Sequence, residues 1–171
     1  MGPLRCAALL LWTGLLPPIL FAQSDCPALL ELRTACLGHS TMEQAMESKA
    51  LAESFLPEAT GECSLQIQAH RWVSLARSAD FGFNPAGKLN RLNDGLRQLD
   101  NLIAQHPGLD ILKALRLTVT GTAPRFLSVD EHWKTDLAAL KRLLVADHWA
   151  ESPKFSAWMS DLAEQIESKR S

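Results

Sequence analysis

The chain has 171 residues, 47% of them hydrophobic and 21% charged, with 17 Lys and Arg set against 19 Asp and Glu. These are the proportions of a globular protein rather than a disordered one. A net charge of −2 gives no electrostatic basis for holding nucleic acid or an anionic membrane surface.

The first five residues carry one positive charge and no acid, and Cys6 to Leu16 is apolar apart from Thr13 and Gly14. Pro17-Pro18 ends that run ahead of the small-residue segment Ala22-Gln23-Ser24. A short basic start, an apolar stretch and a small-residue exit are the parts of a secretory signal. A spanning helix needs roughly 20 unbroken apolar residues, which the double proline denies. Cleavage after Ala22 or after Ser24 fits, and Ser24-Asp25 before Cys26 does not suit a lipid-anchored lipoprotein. Residues 1–24 are therefore expected to leave as a signal peptide. Residues 25–171 would then form a single helical domain, periplasmic or secreted, with no membrane span after cleavage. Removal takes the balance from 17 against 19 to 16 against 19, a net charge of −3, because only Arg5 is charged in that segment.

Cys6 leaves with the signal, and Cys26, Cys36 and Cys63 remain in a compartment where disulfides persist. A helix between Cys26 and Cys36 would hold them roughly 15 Å apart, too far for a bridge. An up-down-up order of the first three helices would bring Cys63 beside Cys26. The favoured pairing is Cys26–Cys63 with Cys36 a buried thiol; the alternative is three free thiols packed as small hydrophobes.

Past the signal, apolar residues recur at helical spacing nearly everywhere and predict an all-α chain of about seven antiparallel helices. The first runs from about Ala28 to Leu37 and stops at Gly38. Ser40-Thr41-Met42-Glu43 has the form of a capping box and opens a helix to Phe55, with Met42, Ala45, Met46 and Ala50 on one face. A third helix, about Ser64 to Ser78, would bury Leu65, Ala69, Trp72, Val73 and Ala76. Asn84-Pro85 starts the fourth, Asn84 as cap and Pro85 in the first turn, and Leu89, Leu92, Leu96, Leu99 and Ile103 draw a narrow apolar seam along it. After His106-Pro107-Gly108 a fifth helix spans about Leu109 to Thr120. The loop Gly121 to Ser128 carries Phe126-Leu127, expected to tuck into the core. Ser128-Val129-Asp130-Glu131 reads as a second capping box before a helix with Trp133, Leu137, Leu140 and Leu144. Ser152-Pro153 opens the last, with Phe155, Trp158, Met159, Leu162 and Ile166 inward and a frayed tail from Ser168.

Chemistry-bearing patterns are sparse. His132 and Asp136 lie four apart on one helix and Asp147 adjoins His148, but neither HExxH nor Cys-x-x-Cys occurs, so no metal is expected. No Gly-x-Ser-x-Gly occurs, and Cys36 with His39 lacks the open, electropositive setting of a catalytic thiol. Gly82, Gly87 and Gly95 stand apart from any P-loop pattern. No catalytic residue and no cofactor follow from this sequence. Arg71, Lys88 and Arg91, with Arg77 and Arg97, can form a shallow anion-binding face; the plainer account is an exposed face balanced by Asp94 and Asp100. The tryptophans are read as packing.

Phe83-Asn84-Pro85, Lys88, Gly95, Leu115-Arg116, Ala123-Pro124, Phe126-Leu127 and Asp136 together resemble a family of exported helical proteins from Bacteroidetes-type bacteria whose activity is uncharacterised. The resemblance covers roughly residues 65–145, with Lys113 standing where the family's Arg-x-x-Arg has its first arginine. It implies an exported protein of tetratricopeptide-like helical hairpins, adds no reaction, and sets Asp136 against Arg116 as a structural ion pair. The function expected is a protein-interaction module whose partner is another exported or envelope protein. The alternative is a small ligand-binding protein or enzyme with a pocket walled by Phe83–Pro85 and Gly121–Ser128.

Overall fold

Seven helices take up most of the residues that the computed structural model describes, which are 26–124, 127, 129 and 131–170. They are α1 (Pro27–Leu37), α2 (Met42–Phe55), α3 (Gly61–Arg77), α4 (Pro85–Gln105), α5 (Asp110–Thr120), α6 (Trp133–Val145) and α7 (Pro153–Arg170), with a 3₁₀ turn over Ser78–Phe81 between α3 and α4. The expected signal peptide, residues 1–24, lies outside the described residues. So do Phe126, Ser128 and Asp130, and with them the tucked phenylalanine and most of the second capping box.

Consecutive helices pack on one another as hairpins, and the array also closes: α3 meets α1, α2, α4 and α5, while α7 returns to α1. That central position explains why α3 hides polar residues as well as apolar ones. Gln66, His70 and Ser74 are buried beside Ile67, Ala69, Val73 and Ala76. Ser74 is matched to Ser48 of α2 by a buried hydroxyl–hydroxyl hydrogen bond of 3.0 Å. The close approach of α3 and α4 depends on Gly95, where an added β-carbon would stand 2.7 Å from both Ala76 Cβ and the Trp72 carbonyl oxygen.

Cys26 and Cys63 are bonded, with Cα atoms 6.0 Å apart, and Cys36 is a buried free thiol. The bridge joins the start of α1 to the start of α3, as an up-down-up order requires. It staples a small core of Leu29, Leu32, Ala52 and Ile67 that stands apart from the main core. Such a satellite buries little apolar surface by itself, so the covalent link carries much of its hold.

Several local expectations are corrected by the structure. The cap of α2 sits one residue later than the Ser40 box: Thr41 accepts from the Gln44 amide at 3.2 Å, and the Gln44 side chain reaches back to the Ser40 amide at 2.9 Å. The returning Gln44 side chain thus takes the amide of Ser40, the residue before the cap, where a capping box would take that of the cap itself. Met42 and Met46 are exposed, and Ala45, Ser48 and Ala52 face α3 in their place, because small side chains let the two helices approach. On α4 the buried stripe is Leu92, Gly95, Leu96, Leu99 and Leu102, which leaves Leu89 exposed at one end. α6 begins at Trp133 with His132 as a cap residue that makes no side-chain cap bond. The tail is helical to Arg170, whose guanidinium lies over the Trp133 ring at 4.7 Å, and Glu167 pairs with Lys141 of α6.

The turn after α6 is closed by backbone hydrogen bonds. His148 N donates to Leu143 O at 3.0 Å and Asp147 N to Leu144 O at 3.1 Å, with Asp147 at φ 50°. This is a Schellman ending with aspartate at the left-handed position that glycine usually takes. It turns the fully buried Trp149 inward, edge-on to Phe155 at 5.6 Å between ring centroids.

Candidate ligand cavity and the charged groups around it

The corner before α4 is built by its own sequence. Asn84 accepts hydrogen bonds from Ala86 N at 3.0 Å and Gly87 N at 3.4 Å, and Pro85 opens the helix, so the chain must bend sharply out of the 3₁₀ turn. Gly82 makes room inside that bend: a β-carbon there would lie 2.3 Å from Arg91 Nη2 and 3.3 Å from Lys88 Cγ. The side chains of Lys88 and Arg91 are thereby laid against the same stretch of backbone, and Lys88 Nζ donates to the Asp80 carbonyl at 3.2 Å.

Between this corner and the loop after α5 lies a cavity of about 430 Å³. Its apolar walls include Ala76, Leu89, Leu92, Val119, Ala123 and Leu127, and its polar groups come from Arg77, Asp80, Lys88 and Thr122. Pro85 and Pro124 stiffen opposite sides. Phe83, beside the corner, is fully exposed. The two segments picked out by the sequence as pocket walls, Phe83–Pro85 and Gly121–Ser128, thus contribute Pro85 on one side and Thr122, Ala123, Pro124 and Leu127 on the other.

The charged groups at the cavity are unevenly matched. Arg77 donates to the Cys36 carbonyl at 3.1 Å and contacts its Sγ at 3.6 Å, and its guanidinium lies over the Trp158 ring at 5.3 Å. Asp80 has its pKa raised by burial, an effect partly countered by Arg77 and Lys88. Among the described residues no carboxylate comes within 4.0 Å of Lys88 Nζ or of the Arg91 guanidinium, and Arg91 Nε has no hydrogen-bond partner.

The anion-binding face expected from Arg71, Lys88 and Arg91 is divided by the structure. Arg71 pairs with Glu53 of α2 at 2.7 Å and stacks over Trp72 at 4.2 Å, because α3 turns it toward α2. Lys88 and Arg91 alone come together, around Gly82.

Arg116 and Asp136 meet as a bidentate pair, Nε to Oδ2 and Nη2 to Oδ1, both at 2.8 Å. Arg116 Nη1 also donates to Asp100 of α4 at 2.6 Å, so one guanidinium ties α4, α5 and α6. Burial lowers its pKa, and the hydrogen bonds to Asp136 and Asp100 more than offset this, leaving a net rise. Arg116 also lines a shallower polar depression of about 310 Å³ with Asp100, Glu131 and His132, but its donors are already committed. It takes no part in the apolar cavity.

A buried cluster that sequence reasoning missed lies where α1, α3 and the α6–α7 turn meet. Arg33 pairs with Glu151 and reaches Ser152 Oγ at 3.4 Å. Burial, Arg33 and His39 push the His70 pKa down to about 3, and burial and Arg77 push His39 to about 4. Both imidazoles are therefore held neutral. The Cys36 thiol is likewise kept protonated, chiefly by burial, so nothing in this region supplies a nucleophile. Arg33 and Glu151 lie 118 positions apart and carry no sequence signal of convergence; the packing of α7 against α1 reveals it.

Among the described residues no group of three or more His, Cys, Asp or Glu can hold a metal ion, and no helix is long and apolar enough to cross a membrane. The chain matches no protein-family model, no curated protein and no solved structure.

Proposed function

We propose that this is an exported helical binding protein and that the cavity between the α4 corner and the α5–α6 loop is its binding site, taking a small apolar ligand. The observation that carries the reading is the cavity itself: its volume falls within the ~300–1,000 Å³ of small-molecule sites, and apolar walls with a few placed polar groups are the usual make-up of such sites. Export is supported by the signal-like first 24 residues together with the Cys26–Cys63 bridge, since disulfides persist in oxidising compartments.

Fluorescence titration with N-phenyl-1-naphthylamine, a neutral apolar dye, tests the reading. The expected result is saturable enhancement in the wild type that is lost in the cavity-filling variant Ala123→Trp, with the two proteins giving the same far-ultraviolet circular dichroism. Equal dye binding by a folded Ala123→Trp protein, or no saturable binding by the wild type, would overturn it.

One specific observation favours the rival reading, a protein-interaction module for another exported or envelope protein. Leu89, which lines the cavity, and Phe83, in the corner before α4, are both exposed, and an apolar side chain of a partner could seat against them. Under that reading Phe83→Ala would abolish capture of the partner and leave dye binding unchanged.

A further inference from the structure

The cavity has a polarity as well as a volume. Its buried lining residues Leu92, Val119 and Ala76 are aliphatic, whereas Lys88 lines it half-buried, and Arg91, outside the lining, is laid against the neighbouring Gly82. Arg77 also lines it, and Asp80 supplies the opposing charge. Of these cations, Arg77 is drawn off by the Cys36 carbonyl and the Trp158 ring. Lys88 meets a neutral carbonyl, and among the described residues neither Lys88 nor Arg91 has a carboxylate within salt-bridge distance. An apolar chamber with an under-neutralised cationic entrance complements a molecule with the reverse distribution. The start of α4 at Pro85 adds a fixed positive end at the same corner.

We infer that the ligand is a free, single-chain anionic amphiphile, its hydrocarbon chain against Leu92 and Val119 and its carboxylate or equivalent head between Lys88 and Arg91. This rests on the cavity being the binding site. A neutral apolar ligand would leave both cations unmatched, and a cationic amphiphile would be repelled by them. An anionic head forms charge-assisted hydrogen bonds with the Arg91 guanidinium at Gly82 and with the Lys88 ammonium, which exchanges the neutral Asp80 carbonyl for it. Burial of the chain supplies most of the affinity, and the head selects the ligand's charge and orientation.

The test is displacement of N-phenyl-1-naphthylamine at pH 7 and low salt by decanoate and by decyltrimethylammonium, each below its micelle concentration. Decanoate is expected to displace the dye at a concentration at least tenfold lower. The double variant Lys88→Glu/Arg91→Gln is expected to erase or reverse that preference, and salt is expected to narrow it. Equal displacement by the two amphiphiles, with dye binding intact, would overturn the anionic head and leave the apolar site standing. Failure of the dye to bind at all would remove the site and this inference together. A protein that sediments with phosphatidylglycerol vesicles yet does not bind monomeric decanoate would likewise overturn the inference, since the ligand would then be a membrane-held lipid.

Discussion

Arg116 presents two parallel donors to Asp136, each 2.8 Å from its own carboxylate oxygen, and the Asp136 side chain is sealed from solvent. The pair joins α5 to α6 across a loop whose ends are Gly121 and Trp133, so it fixes how the loop side of the cavity is held. Asp136→Asn strips the charge from one end of a buried pair and is expected to cost about 3 kcal/mol, the range for orphaning an interior charge. Asp100→Asn removes a half-exposed partner and should cost under about 1 kcal/mol. Urea unfolding of both variants separates the two contacts, and an Asp136→Asn midpoint equal to wild type would show that Asp100 alone suffices.

The Cys26–Cys63 bridge spans a sequence separation of 37 residues. Loop-closure entropy for a ring of that size corresponds to about 3–4 kcal/mol. Cys26→Ser/Cys63→Ser should lose that much stability, and dithiothreitol should lower the wild-type melting temperature without affecting the double variant. Hydrogen exchange should quicken first in α1 and the start of α3, around Leu29, Leu32 and Ile67.

Acid should destabilise the protein before its carboxylates titrate. His70 and His39 have folded pKa values of about 3 and about 4, against an ordinary 6.5. Above pH 6.5 both states hold them neutral, and pH has no effect through them. Below 6.5 the unfolded chain takes up protons that the folded chain refuses, so stability falls as pH drops toward the folded values, by up to about 1.4 kcal/mol per pH unit for each histidine. Denaturant midpoints at pH 7.0, 6.0 and 5.0 measure this, and His39→Asn should reduce the slope. A flat profile from 7 to 5 would mean that the imidazoles can charge in place.

Gly95→Ala should cost about 1–3 kcal/mol, because the new methyl meets Ala76 and the Trp72 carbonyl across the α3–α4 crossing. The paired change Gly95→Ala/Ala76→Gly should recover part of the loss. No recovery would place the strain on the Trp72 carbonyl.

Asp147→Gly should raise stability by about 0.5 kcal/mol, since the left-handed backbone at φ 50° is strained for a residue with a β-carbon. A thermal melt is sufficient. A loss of stability would reveal a role for the Asp147 carboxylate beyond the turn.

Periodic features were the legible ones. Leucines three and four apart mark α4 and α5, and Asn84-Pro85 marks the corner that shapes the cavity, because local capping chemistry is written in adjacent residues. Pro85 and Thr122, Ala123, Pro124 and Leu127, which line the cavity, fall in segments that the sequence marks as breaks in helical pattern. What helical spacing cannot convey is which faces are shared. Met42 and Met46 carry the spacing of a buried face yet stay outside, because α3 accepts Ala45, Ser48 and Ala52 instead. Arg71 carries the same charge as Lys88, but the rotation of α3 gives it to Glu53. Asp80 reaches the cavity through the 3₁₀ turn after α3, which no side-chain pattern announces.

Amide chemical-shift changes on titrating the ¹⁵N-labelled protein with decanoate below its micelle concentration test the central claim most directly. Binding in the cavity predicts saturable shifts concentrated at Ala76, Lys88, Leu89, Leu92, Val119 and Ala123, with α1 and α2 unmoved. Shifts centred on the exposed methionines of α2, or none at these six positions, would contradict it.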